Sequence, residues 1–197
     1  MAKGSGLLFI LLLTISLIVP RPIYPADEIN VSVGISDFEL QSPQKSVIID
    51  RKLEDGYYLD IPKAGIFEQI KDNVDPFNFY VYMPVISDKV AKASGTGKNL
   101  TYLFAHSSDY PYNGARSKAI FANINNLASG DEIYINSYGM IKKYVVVNKK
   151  IVPDIDLRPL TQKPNEEILV LQTCWPLNSL RTRLIVTAKP TAVIALK

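Results

Sequence analysis

The sequence predicts a mainly β domain, closed or nearly closed into a barrel, with one short helix and a hydrophobic segment ahead of it. Three observations lead there. From about Ser46 onward, short runs rich in Ile, Val, Leu, Tyr and Phe follow one another, each bounded by turn residues. Only one segment of this region shows helical spacing, and near the start stands a run with almost no polar residue.

That first run, Leu7 to Val19, has only Thr14 and Ser16 as polar members and is flanked by Lys3 and by Pro20-Arg21-Pro22. It reads as an export signal, short for a bilayer crossing of about 17–25 residues. Cleavage wants small residues, whereas Tyr24-Pro25-Ala26 places a bulky Tyr24 where one should stand. An uncleaved membrane anchor over residues 1–24 is therefore preferred to a cleaved signal. Residues 25–45 are Pro-bearing and weakly periodic, a stalk or lead-in, and residues 46–197 form the folded domain.

The expected strands are Val47–Ile49, Tyr58–Ile61, Phe79–Met83, Leu100–Ala105, Glu132–Ser137, Lys142–Asn148, Glu167–Thr173 and Arg183–Ala188. Ser137-Tyr138-Gly139 is the expected tip of a hairpin. Ile120, Phe121, Ile124 and Leu127 recur at helical spacing and predict the one short amphipathic helix. Pro164, Pro176 and Pro190 are expected at or beyond strand ends, where a missing N–H is tolerated. Closing such strands into a barrel removes exposed edges.

Charge excludes one class of partner. Lys and Arg number 22 against 19 Asp and Glu, and setting aside Lys3 and Arg21 leaves the remainder nearly neutral. Nucleic-acid binding needs clustered positive charge, so none is expected. Export leads to an oxidising compartment where cysteines pair, yet the chain has a single cysteine, Cys174. It is either a small buried hydrophobe or a thiol kept for chemistry.

The single histidine, His106, and Cys174 each lie at the end of an apolar strand run. A thiol is nucleophilic as thiolate, and imidazole can be its base or, charged, its ion-pair partner. Past the cysteine a turn leads into a strand run with Arg181 and Arg183, and a guanidinium beside the thiol could hold a developing oxyanion or clamp a substrate backbone. Alternation puts both arginines on one strand face.

Val170-Leu171-Gln172-Thr173-Cys174, with Arg183 opening Arg-Leu-Ile-Val nine residues later, resembles the sortase signature T-L-x-T-C and its downstream strand arginine. Phe104-Ala105-His106 is similar to that family's strand ending in Gly-His. Gly130-Asp131-Glu132-Ile133 resembles its G-D-x-I entry, and Leu59-Asp60-Ile61-Pro62-Lys63 its L-x-I-P-x opening. Val170 and Ala105 depart from the usual Thr and Gly, at positions that supply no reacting atom.

The resemblance covers about Tyr58 to Lys189 and implies a single eight-stranded, antiparallel-type barrel with one or two short helices. It implies a cysteine transpeptidase with Cys174 as nucleophile, His106 as general acid and Arg183, favoured over Arg181 by spacing, as third member. Thr173, Trp175 and Arg181 are the expected substrate contacts. Its partners would be exported proteins bearing an L-P-x-T-G-like sorting motif and an amine acceptor, from peptidoglycan precursor or a pilin lysine. No metal or organic cofactor is implied. The connection Ile151–Asn165 corresponds to a loop lining the substrate pocket, or is an ordinary solvated loop. Two other readings are a non-catalytic peptide-binding barrel and a hydrolytic cysteine peptidase. A papain-like arrangement is opposed by Pro176 and the Arg-Leu-Ile-Val strand, which leave no helix after the cysteine.

Overall fold

Alternation of apolar and polar residues dictates strands, and their pairing closes a barrel. The computed structural model describes residues 56–108, 111–112 and 115–195. The expected anchor or signal, the stalk and the run Val47–Ile49 lie outside the described residues. Among the described residues no helix is long and apolar enough to cross a membrane.

Strand β1 (Tyr57–Ile61) enters a 3-10 turn at Pro62–Ala64 and returns as β2 (Ile66–Val74). Pro62 supplies the fixed φ of the turn, and Gly65, at φ 67, supplies the left-handed residue that ends it. Helix α1 (Phe79–Ile86) leads to β3 (Val90–Ala93) and β4 (Leu100–Phe104). A two-stranded ribbon of β5 (Pro111–Tyr112) and β6 (Ala115–Arg116) follows. The hairpin β7 (Glu132–Ser137) and β8 (Met140–Pro153), the short helix α2 (Arg158–Thr161), β9 (Ile168–Trp175) and β10 (Thr182–Ala195) complete the order.

Eight strands close in the order β1-β2-β3-β4-β9-β10-β8-β7. The eight-stranded barrel expected from the sequence is therefore present, but it is not uniformly antiparallel. The pairs β2–β3 and β4–β9 are parallel. Parallel neighbours need a crossover connection, and α1 provides it for the first pair. The hairpin tip is as expected: Tyr138 and Gly139 have φ 49 and 84, the paired positive values of a two-residue turn matching strand twist.

Two elements depart from the sequence pattern. Phe79–Met83 is not a strand but the start of α1. Asn78 caps it, its side chain accepting from the Tyr80 N–H, and Phe79, Tyr82, Met83 and Ile86 share one face at helical spacing. The aromatic and β-branched composition suggested a strand, and burial of that face decided for a helix. Conversely, 120–127 forms no α-helix. It is a succession of tight turns with i→i+3 bonds, including a 3-10 turn at Ile124–Asn126. Asn123, Asn125 and Asn126 disfavour a longer helix, while Ile120, Phe121, Ile124 and Leu127 are still buried. Pro190 lies inside β10, beside a register shift that absorbs its missing N–H. The strands β2 and β3 were absent from the sequence pattern because the first alternates poorly and the second is only four residues long.

The sheet carries apolar residues on both faces. Leu59, Leu103, Leu169, Leu171, Leu184 and Val186 fill the barrel interior. Tyr102, Ile168, Val170 and Ile185 point outward into a second layer closed by Met83 and Ile86 of α1. Leu171 is fully buried in the interior. Leu171→Ala should cost about 2–5 kcal/mol, read as a lower urea midpoint with an unchanged slope.

Candidate active site

The cleft forms on the outer face of β4, β9 and β10, and strand register brings its residues together. β4 and β9 pair in parallel from Leu100↔Ile168 to Phe104↔Gln172. Beyond the strand end the match continues, because the Ala105 N–H donates to the Gln172 carbonyl and the Thr173 hydroxyl donates to the Ala105 carbonyl at 2.9 Å. The same offset, carried one residue further, sets His106 level with Cys174. On the other side, antiparallel pairing places Arg183 directly opposite Cys174. Cys174 and Arg183 thus share one rung of paired strands, about 4.8 Å apart, and His106, two residues past the end of β4, extends that rung.

All three line one cleft of about 640 Å³. Its floor includes Tyr102, Phe104 and Gln172, and α1 walls it with Phe79, Tyr82, Met83 and Ile86. Asp154, Asp156, Leu157 and Leu160 line it too, so the connection 151–165 contributes to the pocket wall. Asp156 is held by the Arg158 guanidinium at 2.7–2.8 Å, which keeps its carboxyl down to about 2. The opposite rim is the β9–β10 connection, where Asn178, Ser179 and Leu180 reach the cleft. The Asn178 N–H donates to the Ser108 hydroxyl at 2.8 Å, tying the histidine segment to the turn between Cys174 and Arg183. From behind, the Phe121 N–H donates to the His106 carbonyl at 2.8 Å.

The remaining residues singled out by sequence are placed differently. Trp175 packs against the barrel interior, since one step along β9 turns the side chain to the face opposite Cys174. Thr173 borders the cleft, but its hydroxyl is committed to Ala105. Arg181 precedes β10, is exposed, and is not among the cleft residues. The Arg183 guanidinium donates to the carbonyls of Leu180, at 2.7 Å, and Thr182, at 3.2 Å. It is held at the cleft edge without a carboxylate partner in either bond.

Burial sets the protonation states. It pushes the Cys174 thiol above its ordinary 9.0, the nearby Arg183 cation opposes this, and the Asp154 carboxylate adds to it. Burial also holds the His106 imidazole below its ordinary 6.5. At neutral pH the resting pair is a neutral thiol beside a neutral imidazole. Transfer of one proton makes the thiolate and imidazolium, and the adjacent guanidinium can then meet a developing oxyanion. Among the described residues, no three His, Cys, Asp or Glu side chains converge as metal ligands.

A protein-family model described as the sortase domain matches residues 59–191. The chain belongs to the sortase family. Solved sortases share its fold. Sortase C-1 from Actinomyces oris is 23% identical with a TM-score of 0.57, the match covering 77% of this chain and 83% of that one. For sortase C-3 from Streptococcus pneumoniae the values are 21% and 0.58, over 71% of this chain and 64% of the other. Sortase A from Listeria monocytogenes matches at 13% and 0.57, over 72% and 90%. No curated protein matches the sequence. In this sortase the cleft wall formed by α1 escaped sequence reading, although positions 79, 82, 83 and 86 held the helical period that would have found it.

Charge at the rung predicts how the thiol titrates. Arg183→Gln should raise the Cys174 pKa and slow its alkylation at a fixed pH near neutrality, whereas Asp154→Asn should lower the pKa and speed it. Iodoacetamide labelling as a function of pH, followed by mass spectrometry, measures both directions.

Proposed function

We propose that this sortase is a membrane-anchored cysteine transpeptidase working outside the cytoplasmic membrane. The observation that carries the reading is the rung of His106, Cys174 and Arg183 in one cleft. The Cys174 thiolate attacks the scissile carbonyl of an L-P-x-T-G-like motif in an exported protein. Arg183 leaves its carbonyl partners to hydrogen-bond the oxyanion, a role a planar guanidinium fills well. His106 protonates the departing amine, leaving a thioester on Cys174. An incoming amine, from a peptidoglycan precursor or a pilin lysine, attacks the thioester, gives up its proton to His106 and restores the thiol. Water competes at the second step and yields hydrolysis. The solved relatives include a sortase C from Streptococcus pneumoniae described for its pilin substrate specificity, which supports an exported protein as substrate class. The segment Leu7–Val19 supplies the anchor in this reading.

Three predictions test it. The full-length chain, incubated with an L-P-x-T-G-type peptide, should acquire the acyl mass on Cys174, and Cys174→Ala should acquire none. Arg183→Gln should lower kcat by about 10²–10³-fold, as expected for losing an oxyanion donor. Absence of an adduct across a broad peptide library, while thiol reagents still alkylate Cys174, would overturn the reading. The rate should also follow a bell, with an acid limb below pH 6.5 set by His106 and an alkaline limb above pH 9.0 set by Cys174. The sign follows from the required pair: below the imidazole pKa the thiolate fraction falls with pH, and above the thiol pKa the imidazolium is lost.

A further inference from the structure

Strand β9 changes character where the cleft begins. Its outward residues are Ile168, Val170, Gln172 and Cys174, and the first two are buried in the apolar second layer. Gln172 is the first polar one, and it lines the cleft among Tyr82, Met83, Ile86, Phe104 and Leu160. An amide in such surroundings is costly unless its hydrogen bonds are made. Part of its capacity is met: the Tyr102 hydroxyl, on a side chain only 2% exposed, donates to Gln172 Oε1. A carboxamide also has two N–H donors. Among the described residues no acceptor is bonded to Gln172 Nε2, and with Oε1 taken by Tyr102 those donors are left for a partner in the cleft that Gln172 lines.

We propose that Gln172 is a substrate-binding residue whose side-chain amide donates to the main-chain carbonyl of the third residue on the acyl side of the scissile bond, two residues before the one that bears the scissile carbonyl. The proposal rests on the transpeptidase reading of the same cleft. Gln172 and Cys174 are two residues apart on one strand face, about 6.6 Å, the two-residue repeat of an extended peptide. A peptide with its scissile carbonyl at Cys174 therefore presents an equivalent carbonyl near Gln172. The acyl side is selected by the order of events. The acyl segment stays on the thiol while one amine leaves and another arrives, so the amines need the open end, near Asn178 and the exposed Leu180. The acyl segment takes the end covered by α1, where Gln172 lies. Tyr102 acts through Gln172, holding its amide in one orientation.

The test pairs a protein change with a substrate change. Gln172→Met keeps length without donors, and Gln172→Glu keeps shape while removing them. Gln172→Met should raise KM for the peptide about three- to tenfold, the size of one net hydrogen bond, with kcat nearly unchanged, and Gln172→Glu should raise KM at least as much while its carboxylate, like that of Asp154, raises the Cys174 pKa. Tyr102→Phe should give a smaller rise. A second peptide carries an ester in place of the amide that bears the proposed acceptor carbonyl, which weakens that acceptor. It should bind the wild type less well but make little difference to Gln172→Met, so the two changes are non-additive. If the ester costs the wild type and Gln172→Met equally, or if Gln172→Met lowers kcat at constant KM, this inference is overturned and the transpeptidase reading stands. If no peptide acylates even the wild type, both are overturned. Alkylation of Cys174 at the wild-type rate in Gln172→Met and Tyr102→Phe verifies an intact site.

Discussion

Everything at the cleft depends on the register of three strands. The parallel match of β4 with β9 and the antiparallel match of β9 with β10 are each held by a ladder of backbone bonds, and a slip of one residue would turn every side chain to the opposite face. The core resists such a slip, because Leu169 and Leu171 would leave the interior together. Packing energy in the barrel thereby becomes positional accuracy at Cys174, His106 and Arg183. The bonds past the strand ends, Thr173 to Ala105 and Asn178 to Ser108, extend that accuracy to residues no longer in the ladder.

A single strand serves two environments. The inward face of β9 is a core element, and its outward face passes from buried Ile168 and Val170 to the cleft residues Gln172 and Cys174. Trp175 illustrates how sharply the faces separate, since it adjoins the proposed nucleophile in sequence yet packs against the barrel core. Burial has an electrostatic effect as well. The enclosure of the cleft also raises the thiol and lowers the imidazole, so a thiolate–imidazolium pair is a minor form, supported by Arg183 and opposed by Asp154.

The sequence by itself determined the mainly β class and the hairpin tip at Tyr138-Gly139, and it singled out Cys174 and His106 as candidates because the chain has one cysteine and one histidine. Local alternation and turn residues contain that information. The tertiary structure alone decided what depends on contacts between distant segments. Phe79–Ile86 is helical because its Tyr82, Met83 and Ile86 face the outer layer, a reward the local β-prone composition does not encode. Residues 120–127 stay buried without an α-helix because their asparagines favour turns while their apolar side chains plug the core. Arg183 lines the cleft with Cys174 and Arg181 does not, because pairing with Cys174 and the start of β10 at Thr182 put them in different environments. Periodicity tells which residues share a face; only the paired strands tell which face meets which.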